Sequence, residues 1–298
     1  MSATGRAVAI EAGAAPALRG VRRRGPWQLF RRSRLGVTGA LLLALVAGAA
    51  LAAPVIAPRD PGTLNPAIRL QPPGAAYWFG TDDFGRDLFS RVVYGGRLSL
   101  EVGTLVVLCT GTAGILAGIT AGYFRAADAV IMRMVDALLA IPPALLAIAL
   151  MAVLGARASN VVIALTVAFV PQLTRVVRSQ VLVLRETMFA EAARSAGASD
   201  WRVAFLHVLP NAWSVVLIQS TVTFADAVLT EAGLSYLGVG EPPDVPSWGN
   251  ILSDGRNYMI QAPWMTLFPG IAIVVCVLGL NLLGDGLRDV LDPRFRQW

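Results

Sequence analysis

The sequence predicts an all-α polytopic membrane protein with six transmembrane helices. Hydrophobic residues make up 55% of the 298-residue chain and charged residues only 15%, whereas a soluble domain carries about 25% charged residues. The hydrophobic residues also fall into runs of about 20, the length that crosses a bilayer as a helix. Six such runs occur, at residues 36–57, 99–122, 129–154, 158–177, 213–234 and 264–283.

In the third, fourth and fifth runs, prolines or acidic residues bear on the prediction. Pro142 and Pro143 predict a kink in the third helix, because proline lacks a backbone N–H and clashes with the preceding turn. The fourth run contains Pro171, and the fifth contains Asp226 and Glu231. Each of these runs is still predicted to cross the membrane once.

Arginine placement predicts the orientation. The chain has no lysine, and all 25 of its basic residues are arginine. With a cytoplasmic N-terminus, 17 arginines lie on the cytoplasmic side and 7 on the other side, in agreement with the positive-inside rule. Both termini are therefore predicted to be cytoplasmic. We expect residues 1–34 to be a disordered basic segment, 35–98 the first helix and a periplasmic loop, and 99–298 a five-helix core with a cytoplasmic loop at 178–211.

The cytoplasmic loop predicts two short helices joined at a glycine. Its alanine-rich sequence favours a helix up to Gly197, which can adopt the positive φ that ends a helix. Ser199 or Asp200 can cap a second helix. Leu209-Pro210 is expected to end that helix and lead the chain back to the membrane.

An apolar anchor is predicted on this second helix. Trp201 and Phe205 are four residues apart, so they share one face and can fit a groove in a partner. The alternative is an amphipathic connector that lies on lipid headgroups. Small residues such as Ala192 and Ala193 would bury little area in lipid, but they allow close approach to a protein.

The loop resembles a known signature. Glu191-Ala192-Ala193, Gly197 and Leu209-Pro210 match the signature loop of binding-protein-dependent ABC importer permeases in identity and spacing, with His207 at a position that is usually apolar. The resemblance implies the type I ABC importer permease fold and a coupling helix that sits in a cleft on an ATPase subunit. The coupling loop that it implies comprises Glu191, Ala192, Ala193, Gly197, Ser199, Asp200, Trp201, Phe205, Leu209 and Pro210.

The first outer loop contains a motif of glycines and charged residues. It consists of Gly80, Thr81, Asp82, Gly85, Arg86, Asp87, Ser90 and Arg91. From the residues alone, glycines 80, 85, 95 and 96 can form turns, and the charged residues, including Asp83, can pair into a salt-bridged cap. Contact with a substrate-delivering binding protein is the alternative. The motif is similar to that of the dipeptide and oligopeptide permeases, in the second of their two paired membrane subunits.

Four charged residues lie in or beside the predicted spans, where a charge is costly and usually faces a cavity or a partner. Arg133 and Asp136 are three residues apart and are expected to form an ion pair within one helix. Asp226 has no local partner, so it either faces the translocation path or pairs with a sister subunit. Glu231 lies near the end of the same predicted span.

The resemblance implies a non-catalytic subunit that forms half of an import path for short peptides across the bacterial inner membrane. The partners implied are a homologous second permease, two ATP-binding subunits, an extracytoplasmic binding protein and membrane lipid, with no nucleic acid. No cofactor is expected to bind directly. A phosphate-binding loop of the Walker type needs a lysine, so ATP is expected to be used by the partner subunits.

Other functions remain open to different degrees. Nickel, glutathione or another small solute could replace the peptide within the same class of transporter. An intramembrane aspartyl protease would need Asp136 and Asp226 to converge, and the residues around them show no motif for it. A secondary carrier often shows repeated halves, which the sequence lacks. Cys109, Cys276 and His207 form no metal-binding or nucleophilic pattern.

Overall fold

The computed structural model describes residues 26–31 and 33–291, and this part of the chain is helical apart from its connecting loops. Within it, Pro66–Ile68 and Arg256–Tyr258 are 3-10 turns, and Val203–Val208 is a π-helical turn. The α-helices of the described residues are α1 Pro26–Phe30, α2 Arg34–Leu51, α3 Ala53–Ile56, α4 Leu88–Tyr123, α5 Arg125–Leu139, α6 Pro143–Leu154, α7 Ala158–Leu184, α8 Met188–Ser195, α9 Asp200–Arg202, α10 Leu209–Tyr236, α11 Trp248–Gly255 and α12 Trp264–Leu291. Residues 1–25 of the predicted disordered segment lie outside the described residues.

The predicted spans are all present as helices. Five helical stretches among the described residues are long and apolar enough to cross a membrane: α2, α4, α7, the stretch Asp200–Tyr236 and α12. The pair α5 and α6 passes the same test together, which brings the total to six. The predicted fold class, an all-α polytopic membrane protein, is confirmed.

The third predicted span is broken rather than kinked. The axes of α5 and α6 differ in direction by 89°. Pro142 has an extended backbone, with φ −53° and ψ 133°, because the ring of Pro143 disfavours the helical conformation of the residue before it. Pro143 then starts α6, where its missing N–H costs no hydrogen bond. Two consecutive prolines therefore end one helix and begin another.

Helix α4 begins earlier than the sequence indicated. It starts at Leu88 rather than near Ser99, because the Asp87 carboxylate accepts a hydrogen bond from the backbone N–H of Ser90 at 2.9 Å and caps the helix. The predicted turns at Gly95 and Gly96 are wrong, since both residues are helical. A Cβ at Gly96 would lie 2.9 Å from the ring of Trp248, so this glycine allows α11 to approach closely.

Close helix packing sets the geometry of the bundle. Three glycines of α4, at 114, 118 and 122, face Leu173, Val177 and Val181 of α7, and a Cβ at any of them would lie 2.9 Å or less from those side chains. Small residues at every fourth position are a common means of bringing membrane helices together. The 36 residues of α4 correspond to about 54 Å. We call the side where α4 begins the α11 end, and the side where it finishes the α8 end.

Candidate functional site

The loop at the α8 end, residues 185–210, which we call the α8 loop, adopts the predicted helix–glycine–helix shape. Helix α8 ends at Ser195, and Gly197 has a φ of +85°. Helix α9 begins at Asp200, with Ser199 in the N-cap position but making no side-chain cap hydrogen bond. The predicted position of the second helix is therefore confirmed, and the predicted cap interaction is absent.

The predicted stop at Leu209-Pro210 is wrong. Helical backbone continues from Asp200 to Tyr236, with Pro210 in the first turn of α10. The π-helical turn makes this possible, since the N–H of Leu209 bonds to the carbonyl of Ala204, five residues earlier. This wider turn accommodates a proline that would clash in an ordinary α-helix. The loop is thus joined to a membrane helix without a break.

One face of the second helical segment is buried and the other is exposed. Val203, Ala204 and Val208 are fully buried, where they pack in one cluster with residues of α7 and α8. The rings of Trp201 and Phe205 stack with centroids 5.5 Å apart, as the four-residue spacing predicted. Trp201 is 56% exposed.

The predicted signature residues are mostly on the surface of this loop. Glu191, Ala192, Gly197, Ser199, Asp200 and Pro210 are exposed, while Ala193, Phe205 and Leu209 are partly exposed. Several contacts nevertheless hold the loop in place against α4. The Tyr123 hydroxyl bonds to Asp200 Oδ1 at 3.2 Å, and Phe124 lies 4.7 Å from the Trp201 ring.

The α11 end contains a buried network of ion pairs. Asp82 Oδ2 accepts hydrogen bonds from Arg86 Nε at 2.5 Å and from Arg91 Nη1 at 2.6 Å. Asp254 Oδ2 accepts from the same two arginines at 3.1 and 3.0 Å. We call these four residues the Asp82 network. The predicted pairing of Asp82, Arg86 and Arg91 is confirmed, and Asp254 is a member that sequence reasoning missed.

The other motif residues at this end shape the backbone. Thr81 is fully buried, and its hydroxyl donates to the carbonyl of Ile68 at 2.5 Å. Gly80 and Gly85 have φ values of +79° and +73°, so they form the predicted turns. Asp87 also accepts from the Ser90 hydroxyl at 2.6 Å. The motif therefore folds back onto itself and onto α11.

A third carboxylate, Asp83, lies beside the network. Burial, followed by the charges of Asp82 and Asp254, raises the pKa of Asp83. Carboxylate oxygens of these three aspartates lie within 4.8 Å of one another. Arg86 and Arg91 both contact Asp82 and Asp254, and Arg86 Nη2 also lies 4.0 Å from Asp83 Oδ1, so the arrangement is an ion-pair network rather than a cation site.

The predicted Arg133–Asp136 pair is wrong. Asp136 Oδ1 instead accepts from Arg175 Nη2 of α7 at 2.6 Å, and Arg133 is exposed with no ion pair among the described residues. The two carboxylate oxygens of Asp128 accept from Nε and Nη2 of Arg178, at 2.5 and 2.6 Å. Two carboxylates of α5 thus pair with two arginines of α7. The pairing of Asp136 with α7 replaces the predicted pair within α5.

The two acidic residues of α10 differ in their surroundings. Glu231 is fully buried, and it accepts from Ser99 at 2.8 Å and from Ser235 at 3.0 Å. Asp226 is partly exposed and makes no hydrogen bond or ion pair within the described part of the chain. Nothing in that part joins Asp226 to Asp136, so the dyad that an aspartyl protease requires is not formed.

A further buried carboxylate, Glu241, lies in the loop between α10 and α11. It is 4% exposed, and its Oε1 has no hydrogen-bond partner. Burial, and secondarily the charge of Glu231, raises the pKa of Glu241 to about 7. Sequence reasoning gave no signal for this residue, because no neighbouring residue in the chain marks it as buried.

Comparison with protein families identifies this assembly of loop and helices. The family described as "binding-protein-dependent transport system inner membrane component" matches residues 112–297. The chain belongs to this family. Residues 24–73 also match the N-terminal transmembrane domain of oligopeptide transport permease C.

Similar proteins match along nearly the whole chain. One is a permease protein of Brucella suis named for a peptide transport system, with 48% identity over 90% of each chain. Another is the dipeptide transport system permease protein DppC of Alkalihalophilus pseudofirmus, with 43% identity over 91% of each chain. The glutathione transport system permease protein GsiD of Pectobacterium atrosepticum is 39% identical over 91% of this chain and 90% of its own.

Proposed function

We propose that this chain is one of two membrane-spanning subunits of an ATP-driven importer for short peptides. The observation that supports this most directly is its identity of 43–48%, over about nine-tenths of its length, to permease proteins named for peptide and dipeptide transport. The transporter would carry di- to oligopeptides, and this chain would form half of the path.

The α8 loop is proposed to be the coupling loop that docks on an ATPase subunit. Its exposed surface combines a large aromatic residue, Trp201, with small residues such as Ala192. A large anchor surrounded by small residues suits a protein groove, whereas exposed alanines contribute little to lipid binding. Because the helix continues into α10, movement of the ATPase would be transmitted directly to a membrane helix.

The proposed energy source is ATP hydrolysis in two partner subunits. The chain has no lysine and thus no Walker-type phosphate loop of its own. We propose no directly bound cofactor. A second, homologous permease would complete the path, and an extracytoplasmic binding protein would deliver the substrate.

The orientation proposed places the α8 end and both termini in the cytoplasm. The bias of arginines towards that side supports it. The α11 end would then face outwards, where the Asp82 network forms a rigid cap. Trp78 and Phe84, which are 57% and 49% exposed at the same end, would be available to the binding protein.

Glutathione transport is a second candidate within the same class. The observation that favours it is the 39% identity to the glutathione permease of Pectobacterium atrosepticum. Glutathione is itself a tripeptide derivative, so the two candidates require similar chemistry along the path.

Uptake measurements test the proposal. The chain would be expressed with the transporter subunits encoded beside it, in a strain that lacks its own peptide, glutathione and nickel importers. We expect uptake of labelled dipeptides and tripeptides, and none when the partner ATPase carries an inactivating substitution in its phosphate loop. Absence of peptide uptake together with restored glutathione or nickel uptake would move the substrate to that solute.

A further inference from the structure

The half of α10 nearer the α11 end is enclosed on all sides except one. Ala225, Ala227, Val228 and Ala232 are buried, where α10 packs against α4, α7, α11 and α12. Asp226 lies on the remaining open face. A charged side chain on the open face of a membrane helix is costly unless it meets water or a partner.

Two other polar residues share this open face with Asp226. Gln219 lies seven residues before Asp226, and Thr230 lies four residues after it. These spacings place all three residues on one side of the helix. All three are partly exposed, and none of their side chains makes a hydrogen bond or ion pair within residues 33–291. We call them the α10 polar row. It extends over twelve residues, from Gln219 to Thr230, or about 16 Å along the helix.

Threonines elsewhere in the bundle fall into two groups: the hydroxyls of Thr110 and Thr166 are buried without a hydrogen-bond partner, whereas others are satisfied within their own helix. Thr104, Thr112 and Thr120 on the exposed side of α4 each donate to the carbonyl four residues earlier, at 2.7 Å. Such bonds satisfy a hydroxyl that faces an apolar solvent. Thr230 makes no such bond, so its hydroxyl is free for a partner outside this chain.

A water-filled path explains the row better than a subunit contact does. One cation on a sister subunit would account for Asp226 alone. Three polar groups without partners over about 16 Å need several donors and acceptors in a line. Water, or an extended peptide with its regularly spaced amide groups, provides such a line. An extended chain rises about 3.3 Å per residue, so the row matches a peptide of about five residues or shorter.

We infer that the α10 polar row lines the path and that Asp226 receives the α-ammonium group of a passing peptide. This inference rests on the proposed function and names the part of the substrate that is recognised. Gln219 and Thr230 would bond to peptide amide groups on either side. The row lies on the same continuous helix as Trp201 and Phe205 of the α8 loop, so docking of the ATPase would move the row directly.

Cysteine labelling tests the position of the row. In the complete transporter, with Cys109→Ser and Cys276→Ala in the background, Asp226→Cys and Thr230→Cys would be treated with a cationic, water-soluble thiol reagent. We expect both to react, whereas Val228→Cys, a control that is fully buried on the opposite side of α10, should not. Absence of reaction at 226 and 230 would place the row against the sister subunit and overturn the inference.

Protection from this reagent tests recognition of the ammonium group. A dipeptide and its N-acetylated form would be compared as protectants of Thr230→Cys in the purified transporter. We expect the free amine to protect at about tenfold lower concentration, a difference of about 1.4 kcal/mol, and Asp226→Asn to remove the difference. Asp226→Glu should retain most of it. Equal protection by both peptides with Asp226 in place would contradict the assignment, and peptide uptake by wild type would show that the proposed function survives it.

Discussion

The two ends of the bundle differ in the burial and the ion pairing of their charged residues. At the α11 end, Asp82 is fully buried and Arg91 is 1% exposed, and each has several charged partners. At the α8 end, Glu191 and Asp200 are exposed. The Asp82 network at the first end pairs its charges within the chain, whereas Glu191 at the second end makes no ion pair among the described residues. This difference is the one expected between a structural cap and the docking surface proposed for the α8 loop.

The energetic consequence of a substitution should therefore differ between the ends. A buried charge that loses its partner costs several kcal/mol, because it has been taken out of water without compensation. An exposed charge costs little, because water replaces the partner. Stability measurements should thus respond to changes at the α11 end, and transport measurements should respond to changes at the α8 end.

The largest effect on stability is expected for Arg91→Leu. The substitution removes one of the two arginines that contact Asp82 and Asp254, and it leaves the buried Asp82 and the partly exposed Asp254 on Arg86 alone. We expect a loss of about 3–5 kcal/mol, seen as a lower melting temperature of the purified protein and a lower abundance in the membrane.

Arg97→Leu is the matched control for this prediction. Arg97 lies six residues further along α4, is exposed and has no ion pair among the described residues. Arg97→Leu should change the melting temperature by less than a quarter of the change that Arg91→Leu causes. Equal effects of the two substitutions would show that the Asp82 network contributes no more to stability than a surface arginine does.

A smaller effect is expected from Glu241, also at the α11 end. Its pKa is about 7 in the folded protein against an ordinary value of 4.5. Below pH 4.5 the carboxyl is protonated in both folded and unfolded chains. Between pH 4.5 and pH 7 the carboxyl loses its proton in the unfolded chain but keeps it in the folded one, so the free energy of unfolding falls as the pH rises. Above pH 7 the carboxyl is ionised in both states, and this free energy falls no further. We expect a difference of about 2–3 kcal/mol between pH 4.5 and 8.

Melting curves at several pH values between 4.5 and 8 measure this dependence. Glu241→Gln should flatten it, because the amide cannot ionise. Asp244→Asn, at an exposed carboxylate three residues away, should leave it as in wild type. A wild-type slope in Glu241→Gln would show that another group is responsible.

Local features of the sequence predicted much of both ends. The spans follow from apolar runs, and the corner at Gly197 follows from an alanine-rich segment that ends in glycine, since helix formation and termination depend on neighbouring residues. The stacking of Trp201 on Phe205 follows from helical spacing alone. These predictions required no knowledge of the tertiary structure.

Contacts between distant residues were not predicted. Asp254 joins Arg91 across 163 positions of the chain, and only the packing of α11 against α4 brings them together. The local pair of Arg133 and Asp136 was expected, but Arg175 from a neighbouring helix pairs with Asp136 instead. The passage through Pro210 depends on the π-helical turn, which no spacing rule indicates. Tertiary packing therefore decides which of several possible polar partners is used.

The smallest effect on stability is expected for Gly197→Val at the α8 end. Gly197 and Gly155 have φ values of +85° and +86°, and neither has another heavy atom within 4 Å of a Cβ position. Valine at either site should therefore lower the free energy of unfolding by a similar amount, about 1–3 kcal/mol, through backbone strain. Only Gly197 lies in the α8 loop, so only its substitution should reduce co-purification of the ATPase subunits and peptide uptake at wild-type membrane abundance. Equal uptake by the two variants would show that the loop is a connector.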